Sequence, residues 1–100
     1  EDDYKRTACL AELLSNEISD VNDVPRVMCL ADKLWRSNTI PTCEMLAQKV
    51  GFRAYELARS SNPSEKFTIA QEMCDNVHCE HGCVAGATMA YVTDMATRYG

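Results

Sequence analysis

Apolar residues along this chain recur at intervals of three and four, and nowhere alternate with polar residues over the length of a strand. That period belongs to the α-helix. Glycine and proline are sparse, at four and three, and each proline stands near the start of an apolar-periodic segment. The pattern predicts an all-α protein, a small disulfide-stapled bundle of four to five helices forming a single domain over residues 1–100.

The first segment runs from about Tyr4 to Ile18, with Leu10, Leu13, Leu14 and Ile18 on one stripe and Cys9 at its edge. Asp2 and Asp3 suit its N-terminal end, where carboxylates meet the positive pole of the helix. A polar connector over 19–23 follows and need not be helical. The second segment opens at Asp23-Val24-Pro25, because proline lacks an N–H that a first helical turn would leave unpaired anyway. Val24, Val27, Met28, Ala31, Leu34 and Trp35 then trace a core stripe. Cys29 falls on the other side, so a disulfide from it requires a neighbour there too. Ser37-Asn38 ends this helix.

The third segment opens at Thr39-Ile40-Pro41 and reads as a helix over Thr42 to Arg59, with Cys43, Leu46, Ala47, Val50, Ala54, Leu57 and Ala58 on one face. Gly51 lies inside it. An interior glycine costs ~1 kcal/mol against alanine, so it marks a kink or a close helix crossing. Phe52 and Tyr55 fall off the main stripe, either exposed or in a second layer. Asn62-Pro63-Ser64-Glu65 combines a cap, a proline at the first helical position and a capping-box glutamate. The fourth segment therefore runs from Pro63 to about Asn76, burying Phe67, Ala70, Met73, Cys74 and Val77. Gly82 is expected to turn the chain into a last segment, Cys83 to about Tyr99. Small and apolar residues cover most of its circumference, which predicts the central, most buried helix. Asp94 and Arg98 form an i,i+4 pair near its end.

Six cysteines change the picture more than any other feature. Three of them, with both histidines, crowd into the ten residues from Cys74 to Cys83, while Cys9, Cys29 and Cys43 lie one each in earlier segments. One hundred residues bury only a thin core, and each native disulfide adds roughly 2–4 kcal/mol. An even count in a short chain points to an oxidising, extracellular compartment. Cys79 and Cys83 stand one helical turn apart, better placed to grip other elements than each other. The expectation is three disulfides joining Cys74, Cys79 and Cys83 to Cys9, Cys29 and Cys43, with a nested order suiting an antiparallel bundle. The competing reading is a zinc site drawn from Cys74, His78, Cys79, His81 and Cys83. It lacks a Cys-x-x-Cys pair and leaves three thiols unexplained, so no metal and no other cofactor is expected. The cysteine spacing of 19, 13, 30, 4 and 3 residues assigns no family.

A net charge of −5 argues against nucleic acid and against anionic membrane surfaces, which attract basic patches. No apolar run approaches the ~20 residues of a transmembrane helix. Without a basic, apolar leader at the N-terminus, the sequence reads as the mature chain of a secreted protein. Asp75-x-x-His78 is the only pair resembling a general-base dyad, and no glycine-rich calcium or phosphate loop accompanies it, so catalysis is not expected. Met28, Leu34, Trp35, Phe67, Met73, Met89 and Tyr91 are the candidates for walling a small apolar pocket, since methionine lines adaptable cavities as readily as it fills cores. Two functions follow as expectations. The first is a secreted, non-enzymatic effector, toxin-, pheromone- or hormone-like, that binds an extracellular protein, receptor or channel. The alternative is an extracellular carrier of a small hydrophobic ligand.

Overall fold

The computed structural model of the chain describes residues 2–37, 42–75 and 79–100, and side chains from residue 5 onward. Five helices follow one another: α1 (Asp2–Asn16), α2 (Val24–Arg36), α3 (Glu44–Leu57), α4 (Pro63–Cys74) and α5 (Glu80–Tyr99). A 3-10 turn, Val21–Asp23, leads into α2. No strand occurs among the described residues. The expected openings of α3 at Thr39-Ile40-Pro41 and endings at Asn38, Asn76 and Val77 lie outside the described residues.

Local chemistry accounts for the helix starts. Asn62 accepts from the backbone N–H groups of Ser64 (2.8 Å) and Glu65 (3.3 Å), and Pro63 takes the first helical position. The polar connector before α2 is more ordered than its composition suggests. Asp20 and Asp23 cap each other's backbone across the 3-10 turn, and the Asp23 carboxylate also accepts from Ser19 N (3.1 Å). That hydrogen bond is the main reason its pKa falls below the usual carboxylate value.

Helix α3 is the hub. It packs against α1, α2, α4 and most extensively α5. Leu46, Ala47, Val50 and Ala54 are solvent-free on its inner face. Gly51 is the close crossing that the sequence allowed: a β-carbon there would overlap the carbonyl oxygen of Cys83 and stand 2.7 Å from its carbonyl carbon. Gly86 of α5 returns the contact, with a β-carbon placed 2.7 Å from the carbonyl carbon of Gln48. The two backbones therefore touch, as small residues permit.

Several expectations need correction. On α1 the buried line is Thr7, Ala11, Leu14 and Ser15, continued past its end by Ile18, while Leu13 is 57% exposed, so the buried side is shifted from Leu10 and Leu13 toward Thr7 and Ala11. Helix α5 is not the most buried. Gly82, Cys83, Gly86, Ala87 and Ala90 pack inward, but its outer side and its C-terminal half meet solvent. Gly82 does not turn the chain; it lies in the first turn of α5, where a β-carbon would stand 2.9 Å from that of Ala47. Cys79 makes the turn instead, with φ 61° and ψ 36° in the left-handed region. Trp35 is 41% exposed rather than core, near the end of α2, with the Arg36 guanidinium over its ring at 5.9 Å.

Candidate functional site

The four paired cysteines converge on the start of α5. Cys79, its N-cap, is bonded to Cys43, the N-cap of α3, with Cα atoms 6.2 Å apart. Cys83, one turn further on, is bonded to Cys74, the last residue of α4, across 5.6 Å. Cys79 and Cys83 thus grip other elements, as their spacing implied. The nested three-bridge scheme does not hold. Cys74 pairs within the cysteine-rich segment, and Cys9 and Cys29 carry free, exposed thiols. Both of the latter lie on the solvent side of helices that face the core elsewhere, so no third bridge forms, and among the described residues no element covers Cys29.

A zinc centre in this segment loses its thiolates to the two bridges. One further trio has ligand spacing: Cys43 and Cys79 sulfurs and the Glu44 carboxylate lie within 4.8 Å of one another, but the sulfurs are bonded to each other. His78 lies outside the described residues, and its would-be partner Asp75 and the neighbouring His81 are exposed.

The seven pocket candidates do not line one cavity. Met28 is fully buried core. Met73 and Leu34 pack partly buried against that core. Phe67 and Tyr91 do meet, with ring centroids 5.3 Å apart, and Tyr91 meets Tyr55 edge-on at 6.2 Å. This aromatic row joins α4, α5 and α3. Met89 lies elsewhere, in a shallow cleft of about 270 Å³ with Met45 and Phe52. Trp35 takes part in neither the aromatic row nor this cleft.

Tyr55 was the least expected functional group. It is buried, and its hydroxyl donates to Asp94 Oδ2 at 2.6 Å while Arg98 Nε donates to Asp94 Oδ1 at 2.8 Å. Desolvation, then the bond to Asp94, pushes the phenol up to about 12. The Arg98 and Tyr55 donors hold the Asp94 carboxyl below its ordinary value. A cleft of about 320 Å³ opens beside this network, lined by Phe52, Glu56, Lys66 and Thr93 among others. Only the i,i+4 pair was legible in the sequence, because Tyr55 reaches Asp94 across a helix crossing.

The outer face of α5 carries three of the exposed large apolar side chains of the described residues, Met89, Val92 and Tyr99. Ala85, Met89, Val92, Ala96 and Tyr99 follow at intervals of four, three, four and three, one continuous seam. Met89 is 53%, Val92 58% and Tyr99 75% exposed. The threonines beside the seam return their hydroxyls to their own helix: Thr88 donates to Val84 O and Thr93 to Met89 O, each at 2.8 Å. Such back-bonding leaves methyl groups outward. Between His81 and Arg98 the sole charged residue is Asp94, and it faces Tyr55. Tyr91, Val92, Met95, Ala96 and Tyr99 also border an open groove of about 500 Å³. This seam was hidden in the sequence by the small residues that cover the rest of α5.

These features define a small all-α bundle with two disulfides at one helix start and an apolar seam on the opposite side of that helix. No helix of the described chain is long and apolar enough to cross a membrane. Comparison with protein families, with characterised proteins and with solved structures finds no match for this chain.

Proposed function

We propose that this is a secreted, non-enzymatic effector that acts by binding another extracellular protein through the outer face of α5. The observation that carries the reading is the seam of half-buried Ala85 and exposed Met89, Val92, Ala96 and Tyr99, free of charge on a helix otherwise fixed to the bundle. Seams with this spacing receive a partner helix by knobs-into-holes packing. Large exposed apolar patches on small domains mark interaction sites. The net charge of −5 favours encounter with a basic partner. The disulfides fit an oxidising compartment, where such bonds persist, and a rigid scaffold reduces the ordering cost of binding. A receptor or channel ectodomain presenting an apolar helix with basic flanks is the expected target. The carrier reading draws less support, since its candidate residues are divided between the core and separate surface clefts.

The test is binding of the folded protein to a panel of purified receptor and channel ectodomains, beside a Met89→Glu/Val92→Glu variant. The expected result is one or more identified binders whose affinity falls at least about tenfold in the variant, with helical content and melting temperature unchanged. Binding that ignores the substitutions, or a panel without a binder, counts against it. A small organic molecule retained in the native mass spectrum would favour the carrier.

A further inference from the structure

The two disulfides sit in different surroundings. Cys74 and Cys83 are solvent-free, within the apolar core cluster. Cys43 is buried, but Cys79 is partly open to solvent, so the Cys43–Cys79 bond is approached from the Cys79 side. Both of its cysteines are helix N-caps: Cys43 begins the 14-residue α3 and Cys79 the 20-residue α5. The first turn of a helix carries the equivalent of about half a positive charge, and thiolates placed there are stabilised. Cys79 is also the only described non-glycine residue with positive φ, a conformation the bridge helps to hold against its β-carbon. One group opposes these effects. The Glu44 carboxylate lies within 4.8 Å of both sulfurs and disfavours a neighbouring anion.

We infer that Cys43–Cys79 is an exchangeable disulfide, opened from the Cys79 side by small thiols, while Cys74–Cys83 stays closed. In the first step a thiolate forms a bond to Cys79 Sγ and the Cys43–Cys79 bond breaks, its electron pair leaving with Cys43 Sγ as a thiolate. Cys43 is the leaving group because the partly open Cys79 is the side a nucleophile can reach; the N-terminal dipole of α3 favours the Cys43 thiolate, while its burial opposes it. A second thiolate then attacks the small-molecule sulfur of the mixed disulfide, releasing Cys79 as a thiolate and the oxidised small disulfide. Two electrons pass to the protein pair, and the two protons given up by the attacking thiols return to Cys43 and Cys79. The bundle does not depend on this bond at the crossing itself, where Gly51, Gly86 and Ala87 hold α3 to α5. Opening it therefore leaves the helices in place and presents two thiols beside Glu44.

The test uses the native protein in graded mixtures of reduced and oxidised glutathione, quenched with N-ethylmaleimide and mapped by peptide mass spectrometry. Cys9 and Cys29 are labelled throughout. The expected result is label on Cys43 and Cys79 at a reducing ratio at least about tenfold milder than Cys74 and Cys83 require, with the helical circular dichroism unchanged. Label appearing on Cys74 and Cys83 first or simultaneously, or only together with loss of helix, overturns the inference. Glu44→Gln is expected to open the bond several-fold faster; an unchanged or slower rate overturns the electrostatic account.

Discussion

Gly86→Ala gives the sharpest test of the α3–α5 crossing, because two effects of known sign oppose each other there. Alanine is the better helix former by about 0.8–1.0 kcal/mol, so a glycine that merely sat in a helix would be improved by the change. At this position the new β-carbon overlaps the carbonyl oxygen of Gln48 and stands 2.7 Å from its carbonyl carbon and 2.9 Å from its Cα. Ordinary carbon contacts are about 3.5–4.0 Å, so the helices must part by roughly 1 Å. The obstructing atoms are backbone and cannot rotate aside. Overpacking costs typically 1–3 kcal/mol, sometimes more, and this site lies on the most extensive interface of the bundle, which places it at the upper end. After subtracting the propensity gain, the net loss is about 1–3 kcal/mol, or a fall in melting temperature of roughly 5–20 °C for a domain of this size. Thermal and urea denaturation followed by circular dichroism, with disulfides intact, measures it. Gly51→Ala should behave alike. The double variant should lose less than the sum, because one separation of the helices relieves both overlaps. A variant as stable as the parent, or more so, would show that α3 and α5 do not touch at this point.

Further outcomes are expected at other sites. Tyr55→Phe removes the donor to Asp94 and should destabilise the fold by ~1 kcal/mol in urea titration. In the parent, Tyr55 should be the phenol that ionises near pH 12 in a spectrophotometric titration, a step missing from Tyr55→Phe. Because its folded pKa lies above the unfolded value of about 10, the associated stability is complete below pH 10 and declines as pH rises toward 12. Asp94 has the opposite sign, its folded pKa being lowered: its contribution is present above the ordinary carboxylate range and is lost on acidification through the lowered value, which Asp94→Asn should abolish in an acid unfolding curve. Removing Cys43–Cys79, which spans 36 residues, should cost about 4 kcal/mol by chain entropy, against about 3 for the nine-residue span of Cys74–Cys83. Trp35 emission should be that of a partly solvated indole and quench readily with acrylamide, since the ring is 41% exposed; a blue-shifted, unquenched spectrum would place it in a core.

What the sequence determined by itself is whatever depends on near neighbours in the chain. The three-four period set the helices, and Asn62-Pro63 and Val24-Pro25 set two starts almost to the residue, because caps and proline act within one turn. The spacing of Cys79 and Cys83 already required that they grip different elements. Only the tertiary structure decided which ones, since a disulfide partner is chosen by where helices cross and not by order along the chain. The same holds for α5. Its residues are apolar or small nearly all round, so the period alone cannot say which side is core. The close crossing, Gly51 against Cys83 and Gly86 against Gln48, decides it, burying Ala87 and Ala90 and turning Met89, Val92 and Tyr99 outward. Tyr55, off the stripe of its own helix, is buried for the same reason: α5 supplies the wall and the carboxylate it needs. Local signals fix where helices begin and how far they run, but burial, pairing and the exposed seam are properties of surfaces brought together from distant parts of the chain.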